Sequence, residues 1–158
     1  MGVEIERKFL LSSDSWRKDA VGVPYTQGYI SKDQNHTVRV RIAGTKGFIT
    51  IKGAVKGISR PEFEYAIPVD DARELMKLCR GPLIEKTRFR INHDGLVWEI
   101  DEFCGENKGL VIAEVELSDA AQQVNLPSWI GREVSGDPRY YNSSLSSHPF
   151  SSWIDKDQ

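Results

Sequence analysis

Apolar and charged residues alternate along most of this chain with a period of two, the mark of β-strands whose two faces meet different surroundings. In the first run Val3, Ile5 and Phe9 share one face and Glu4, Glu6 and Lys8 share the other. The pattern predicts strands at Val3–Leu11, Tyr25–Ile30, Thr37–Ala43, Gly47–Lys52, Arg60–Val69, Ile84–Asn92, Leu96–Phe103 and Leu110–Ser118. Ala43–Gly47 and Asn92–Gly95 read as hairpin connections. Helical signals are strongest over Asp71–Arg80, where Asp70 or Asp71 can cap the start, Glu74 can complete a capping box and Gly81-Pro82 can end it. A second helix is expected after Ser118-Asp119 and a short one near Ser13–Ala20. The chain reads as one domain over 1–158, serine-rich from Asn142 onward, with a mobile tail expected within 145–158. Phe150, Trp153 and Ile154 could still dock there as an amphipathic turn.

What the alternation separates is unusual. The third strand opposes Val38, Val40 and Ile42 to Thr37, Arg39 and Arg41, and the fourth opposes Ile49 and Ile51 to Thr50 and Lys52. The fifth sets Phe63, Tyr65 and Ile67 against Glu62 and Glu64; the sixth sets Phe89 and Ile91 against Lys86, Arg88 and Arg90. The seventh opposes Trp98 and Ile100 to Glu99 and Asp101, and the eighth opposes Val111, Ala113, Val115 and Leu117 to Glu114 and Glu116. A solvated sheet face would explain any one of these strands. Together they argue otherwise, because carboxylates gather on some strands and cations on others, with arginine favoured over lysine. An α+β, mainly β fold is expected: an eight-stranded antiparallel sheet closed into a barrel, with apolar faces outward under helices and other cover. Its charged faces would line a bore wide enough for one small ligand. Charges confined in that way need partners of the opposite sign. A metal-bound polyphosphate supplies both, carboxylates holding the cation and Arg and Lys holding phosphate oxygens.

Composition narrows the partner. The 158 residues carry a formal net charge of -2, without the basic excess of a general nucleic-acid binder. No apolar run suggests a signal peptide or a membrane span, so a cytoplasmic protein is expected, with neither nucleic acid nor membrane as partner. Cys79 and Cys104 have no CxxC spacing and read as reduced thiols. His36, His93 and His148 are scattered, which favours a hard metal on carboxylates over zinc.

The segment Glu4-Ile5-Glu6-Arg7-Lys8 resembles the Glu-x-Glu-x-Lys signature of the CYTH superfamily, the triphosphate tunnel metalloenzymes. Later motifs follow in order: Gln27-Gly28-Tyr29-Ile30, Arg39-Val40-Arg41, Lys52, Glu62-Phe63-Glu64, Glu85-Lys86-Thr87-Arg88 and Glu114-Val115-Glu116. Arg139-Tyr140 and Asn142 resemble a C-terminal segment of the shorter bacterial members. The resemblance implies Mg²⁺ or Mn²⁺ on Glu4, Glu6 and one or both of Glu114 and Glu116. It implies a triphosphate gripped by Lys8, Arg39, Arg41, Lys52, Lys86, Arg88 and Arg90, with Glu62 and Glu64 orienting these cations or helping a second metal. Lys8, Lys52, Lys86, Glu62 and Glu64 are thereby the candidate catalytic residues. Tyr29 is placed either near the bore or in packing, and Arg7 and Glu102 on the outer surface.

All members act on a tripolyphosphate chain, and this sequence looks most similar to small bacterial inorganic triphosphatases. The expected activity is hydrolysis of inorganic tripolyphosphate to pyrophosphate and phosphate. A class IV adenylyl cyclase, a thiamine or nucleoside triphosphatase, and a non-catalytic polyphosphate sensor stay open as alternatives. The expected partner is a small-molecule triphosphate, and a homodimer is allowed.

Overall fold

The computed structural model describes residues 2–18, 20–33 and 35–154. In chain order its elements are β1 (Gly2–Leu11), β2 (Gly22–Lys32), β3 (His36–Ala43), β4 (Lys46–Gly53), β5 (Ser59–Ile67), α1 (Val69–Met76), β6 (Arg80–His93), β7 (Leu96–Phe103), β8 (Val111–Glu116), β9 (Ile130–Glu133) and α2 (Asn142–Leu145). The sheet runs β5-β4-β3-β2-β6-β7-β8-β1-β9, and a further β1–β5 pairing closes eight of these strands into an antiparallel barrel. β1 makes the closure because its first residues pair with β5 (Glu4 opposite Arg60) and its later ones with β8 (Lys8 opposite Glu114). Phe9 pairs with both Ala113 and Glu133, so β9 takes up the edge of β1 that β5 has left.

The two anticipated hairpins form. At the β6–β7 turn Asp94 and Gly95 both have positive φ, 51° and 80°, the backbone that matches a two-residue turn to strand twist.

Residue parity decides the rest. Outward-facing Phe9, Trp98, Ile100, Ala113 and Val115 are buried beneath Trp16, Leu117 and Trp129, with the Trp98 ring 5.6 Å from Phe9 and 5.9 Å from Trp129. α1 covers β2, β3 and β4, where a side chain at Gly47 would collide with Ala72 at 2.9 Å. Beyond that short helix the outward face of β4 and β5 is bare: Ile51 is 41% exposed, Phe63 45% and Tyr65 58%. Cover over the whole outer face, as expected from the sequence, is therefore not found; eight residues of helix span only about 12 Å. Inward parity gives a second surprise. Following Lys8 to Leu10, Lys86 to Ile84, Asp101 to Phe103 and Glu114 to Ile112, the bore turns from charged to apolar. These four residues join Tyr29 and the C-terminal Tyr140, Leu145 and Phe150 in one buried cluster. The bore is a charged cup with an apolar floor.

Other expectations need correction. The chain after Ser118 makes a turn, not a helix: Gln122 N–H donates to Asp119 O, and the Gln122 side chain accepts from Ser118 N–H. Pro127 follows and denies a helix its donor, and β9, absent from the sequence reading, comes next. The Ser13–Ala20 helix is a single tight turn at Ser15–Arg17 that buries Trp16. α1 starts earlier than expected, with Ala72 N–H donating to Pro68 O, and neither Asp70 nor Asp71 is its cap. β6 already begins at Arg80. In the tail, Phe150 and Trp153 dock on Tyr140 while Ile154 is fully exposed; residues 155–158 lie outside the described residues. Among the described residues no helix is long and apolar enough to cross a membrane.

Candidate functional site

The bore holds a cavity of about 260 Å³. Every charged residue singled out for a site in the sequence lines it: Glu4, Glu6 and Lys8 on β1, Arg39 and Arg41 on β3, and Lys52 on β4. Glu62 and Glu64 come from β5, Lys86, Arg88 and Arg90 from β6, and Glu114 and Glu116 from β8, with Tyr29 from β2. Period-two backbone on seven strands thus aims these side chains at one space. Arg7 and Glu102 point the other way, pairing outside with Glu133 at 2.8 Å and Arg17 at 2.7 Å.

The walls are sorted by charge. On one side Glu4, Glu6, Glu62, Glu114 and Glu116 gather around two lysines. Lys52 Nζ lies 2.9 Å from Glu4 and 3.6 Å from Glu62; Lys8 Nζ lies 3.0 Å from Glu114 and 3.7 Å from Glu6. Two lysines cannot satisfy five carboxylates. Burial, then the Glu114 charge, push Glu6 up to about 8. Burial and Glu4 push Glu62 up to about 7, and burial and Glu4 also raise Glu116. In Glu4 and Glu114 burial is the largest influence and acts upward too, but Lys52 with Glu62 around Glu4, and Lys8, Arg88 and Lys86 around Glu114, together outweigh it and the pKa falls.

On the other side stand Arg39, Arg41, Lys86 and Arg88. Asp101, 1% exposed beneath them, accepts from Arg88 Nε at 2.7 Å and Nη2 at 2.8 Å, and from Lys86 Nζ at 2.7 Å. Glu64 lies near Arg39, and Glu99, 3.2 Å from Arg88, is shared with Arg90, so the carboxylates beside these cations are fewer than the cations and positive charge is left in excess. Burial, only partly offset by Asp101 and reinforced by Arg88 and Arg41, pulls Lys86 down to about 7. Burial, Arg39 and Arg88 pull Arg41 down to about 9. Arg39 donates to Thr50 at 3.1 Å and to Glu64 at 3.3 Å, and its buried Nε has no acceptor among the described residues. Arg90 stands at the rim, more than half exposed and paired with Glu99 at 2.9 Å. Tyr29 does both of the things allowed for it, lining the cavity and packing into the floor.

Some members of the site were missed. The Tyr25 ring has the guanidinium carbons of Arg41 and Arg88 each 4.9 Å from its centroid and Lys86 Nζ at 6.0 Å, a cation–π support shared by three cations of this wall. Its parity with Gln27 and Tyr29 was a usable signal. Asp101 was placed by its face alone. Tyr141 and Ser143 enter from the C-terminal segment beside Asn142, which the resemblance picked out without a role, and Val55, Gly57 and Ile58 enter from the β4–β5 loop; nothing local in the sequence places either segment at the bore.

The donor set fits a hard divalent cation, since the acidic wall offers carboxylate oxygens and crowds them until burial and mutual repulsion hold two near neutrality. No three such groups among the described residues form a finished cage, and Lys8 and Lys52 stand between them.

Comparison with known proteins agrees with this geometry. The CYTH domain family matches residues 2–142. The chain is 53% identical over 151 residues to an inorganic triphosphatase of Acetivibrio thermocellus, covering 95% of this chain and 97% of that protein. It is 38% identical over 147 residues to an inorganic triphosphatase of Nitrosomonas europaea, covering 90% and 96%. A solved structure described as an inorganic triphosphatase aligns with a TM-score of 0.63 at 36% identity, over 90% of this chain and 96% of that one. A Pyrococcus horikoshii protein at 20% identity and TM-score 0.57, over 74% and 80%, shares the fold. With a matched length that takes in all eight barrel strands and each charged motif lining the bore, this chain belongs to the CYTH family.

Proposed function

We propose that this protein is a divalent-metal-dependent triphosphatase that hydrolyses inorganic tripolyphosphate to pyrophosphate and phosphate. The observation that carries the reading is the pairing, in one cavity, of a carboxylate wall short of cations with a cationic wall short of anions. A metal-bound polyphosphate relieves both. The choice of inorganic triphosphate is supported by the two relatives at 53% and 38% identity.

In this reading Glu4, Glu6, Glu114 and Glu116 hold Mg²⁺ or Mn²⁺. The ion's chemistry is to neutralise phosphate oxygens and to make a bound water more acidic. Lys8, Arg39, Arg41, Lys52, Lys86 and Arg88 grip the phosphate oxygens, with Arg90 at the rim and Tyr29 against the chain. Arginine forks fix the orientation of the chain, so that the terminal phosphorus faces the acidic wall. As the bridging P–O bond breaks, the cations spread the charge developing on the leaving oxygen, and a wall carboxylate takes the proton of the attacking water. Glu62 and Glu64 hold Lys52 and Arg39 in place for this.

The test is a release assay with tripolyphosphate, ATP, GTP and thiamine triphosphate, read for phosphate, pyrophosphate and cyclic nucleotide. Phosphate from tripolyphosphate with added Mg²⁺ or Mn²⁺, lost in EDTA, is expected. Full activity in EDTA defeats the metal assignment; a preference for an organic triphosphate, or cyclic product, defeats the substrate assignment.

A further inference from the structure

Resting on that reading, we propose that Asn142, brought to the bore by the C-terminal segment, is a positioning residue that aims Lys86 at the bound phosphates. Asn142 Oδ1 accepts from Lys86 Nζ at 3.0 Å and from Gln27 Nε2 at 3.1 Å, while Gln27 Oε1 accepts from Arg41 Nε at 2.8 Å. The polarity of this chain is forced. Arg41 can only donate, so the Gln27 oxygen must face it and the Gln27 NH₂ must face Asn142; Lys86 can only donate too, which demands the Asn142 oxygen at the same point. Gln27 is wholly buried and Lys86 is 2% exposed, so protein groups set most of what surrounds them.

The arrangement counts donors. An ammonium has three N–H groups; Lys86 gives one to Asp101 at 2.7 Å and one to Asn142, and the third is left for the cavity that Lys86 lines. A neutral amide oxygen steers Nζ without cancelling its charge, which a second carboxylate would do. The segment that carries Asn142 is itself pinned: Leu145 and Phe150 lie in the apolar floor, and Lys32 Nζ donates to Ser146 Oγ at 2.6 Å and to Ser143 O at 3.3 Å. The docked tail and the phosphate grip are thereby joined through one side chain.

A double-mutant cycle tests this on the full chain. Asn142→Ala and Asn142→Asp are each made in the wild-type and Lys86→Ala backgrounds, and tripolyphosphate affinity is read by calorimetry in EDTA; kcat and KM for phosphate release are read with Mg²⁺. Loss of a hydrogen bond to a charged group should weaken tripolyphosphate about tenfold in Asn142→Ala, and by less than about threefold once Lys86 is gone. Asn142→Asp keeps the shape and the acceptor that dock the segment, and should still weaken tripolyphosphate, because its charge competes for Nζ. Equal losses in both backgrounds, wild-type affinity in Asn142→Asp, or no binding by the wild type would overturn the proposal. Binding without phosphate release would overturn the hydrolase reading alone, and the affinity cycle would still decide this one.

Discussion

The acidic and cationic walls of the bore face each other across one cavity, yet they are strained in opposite senses. On the acidic wall Glu6 is pushed up to about 8 by burial and then by the charge of neighbouring carboxylates, Glu114 first. On the cationic wall Lys86 is pulled down to about 7 by burial and by Arg88 and Arg41, which Asp101 only partly offsets. Each wall keeps some of its charge through local pairs, Lys8 and Lys52 among the glutamates and Asp101 among the cations. What remains unbalanced on each is what a metal–polyphosphate complex carries. The surrounding fold holds both walls in a costly state that a ligand carrying both signs would relax.

The comparison is broken most severely by removing one wall's charge. Glu6→Gln is expected to lower phosphate release about a thousandfold, equivalent to about 4 kcal/mol of barrier, without lowering the melting temperature of the ligand-free protein, since it replaces a half-buried carboxyl whose charge its neighbours repel. A melting temperature that falls with the activity would mean that Glu6 is a structural partner of Lys8. On the facing wall, Lys86→Ala should weaken tripolyphosphate about a hundredfold through loss of a charged hydrogen-bond donor; unchanged kcat and KM would misplace the grip. The walls should also be coupled: Mg²⁺ and tripolyphosphate together should raise the melting temperature more than the sum of each alone. Simple additivity in differential scanning calorimetry would separate the two sites.

A pH series on the ligand-free protein in EDTA sharpens the contrast further. For Glu6 and Glu62 the folded pKa lies above the ordinary 4.5, at about 8 and about 7, so their stabilising share is present below pH 4.5 and lost as pH rises to 8. For Lys86 and Arg41 the folded pKa lies below the ordinary value, at about 7 and about 9, so their share is present in alkali and lost as pH falls through those values. The acidic wall therefore destabilises on raising pH and the cationic wall on lowering it. A shallow trough in melting temperature near pH 7–8 is expected, flattened on its acid side by Glu6→Gln and on its alkaline side by Lys86→Met. A profile untouched by both variants would refute the opposed strain. The smallest effect belongs to the control: Arg7→Ala removes an outer ion pair with Glu133 and should cost under about 1 kcal/mol with activity unchanged. An activity loss matching that of Glu6→Gln would show that the strand register is inverted.

Much of this arrangement was legible from parity alone. Glu6 and Arg7 are neighbours in the chain, and a period of two sends one into the bore and the other to Glu133 outside. The same rule placed Arg39, Arg41, Lys86 and Arg88. It failed where the next elements intervene. The chain after Ser118 has polar, helix-compatible residues, but Pro127 and the free edge of β1 turn it into a loop and a strand. Phe63 and Tyr65 were expected on a covered outward face and are exposed, because whether that face is covered depends on how far α1 extends.

Side-chain direction was fixed by the sequence because it follows from a local backbone repeat that neighbouring residues enforce on one another. Depth, closure and partnership were decided only in three dimensions. The β1–β5 pairing, the apolar floor of Leu10, Ile84, Phe103 and Ile112, and the meeting of Asn142 with Lys86 join residues far apart in the chain. Those encounters depend on strand stagger and on where the returning C-terminal segment can bury Leu145 and Phe150, quantities that no local pattern encodes.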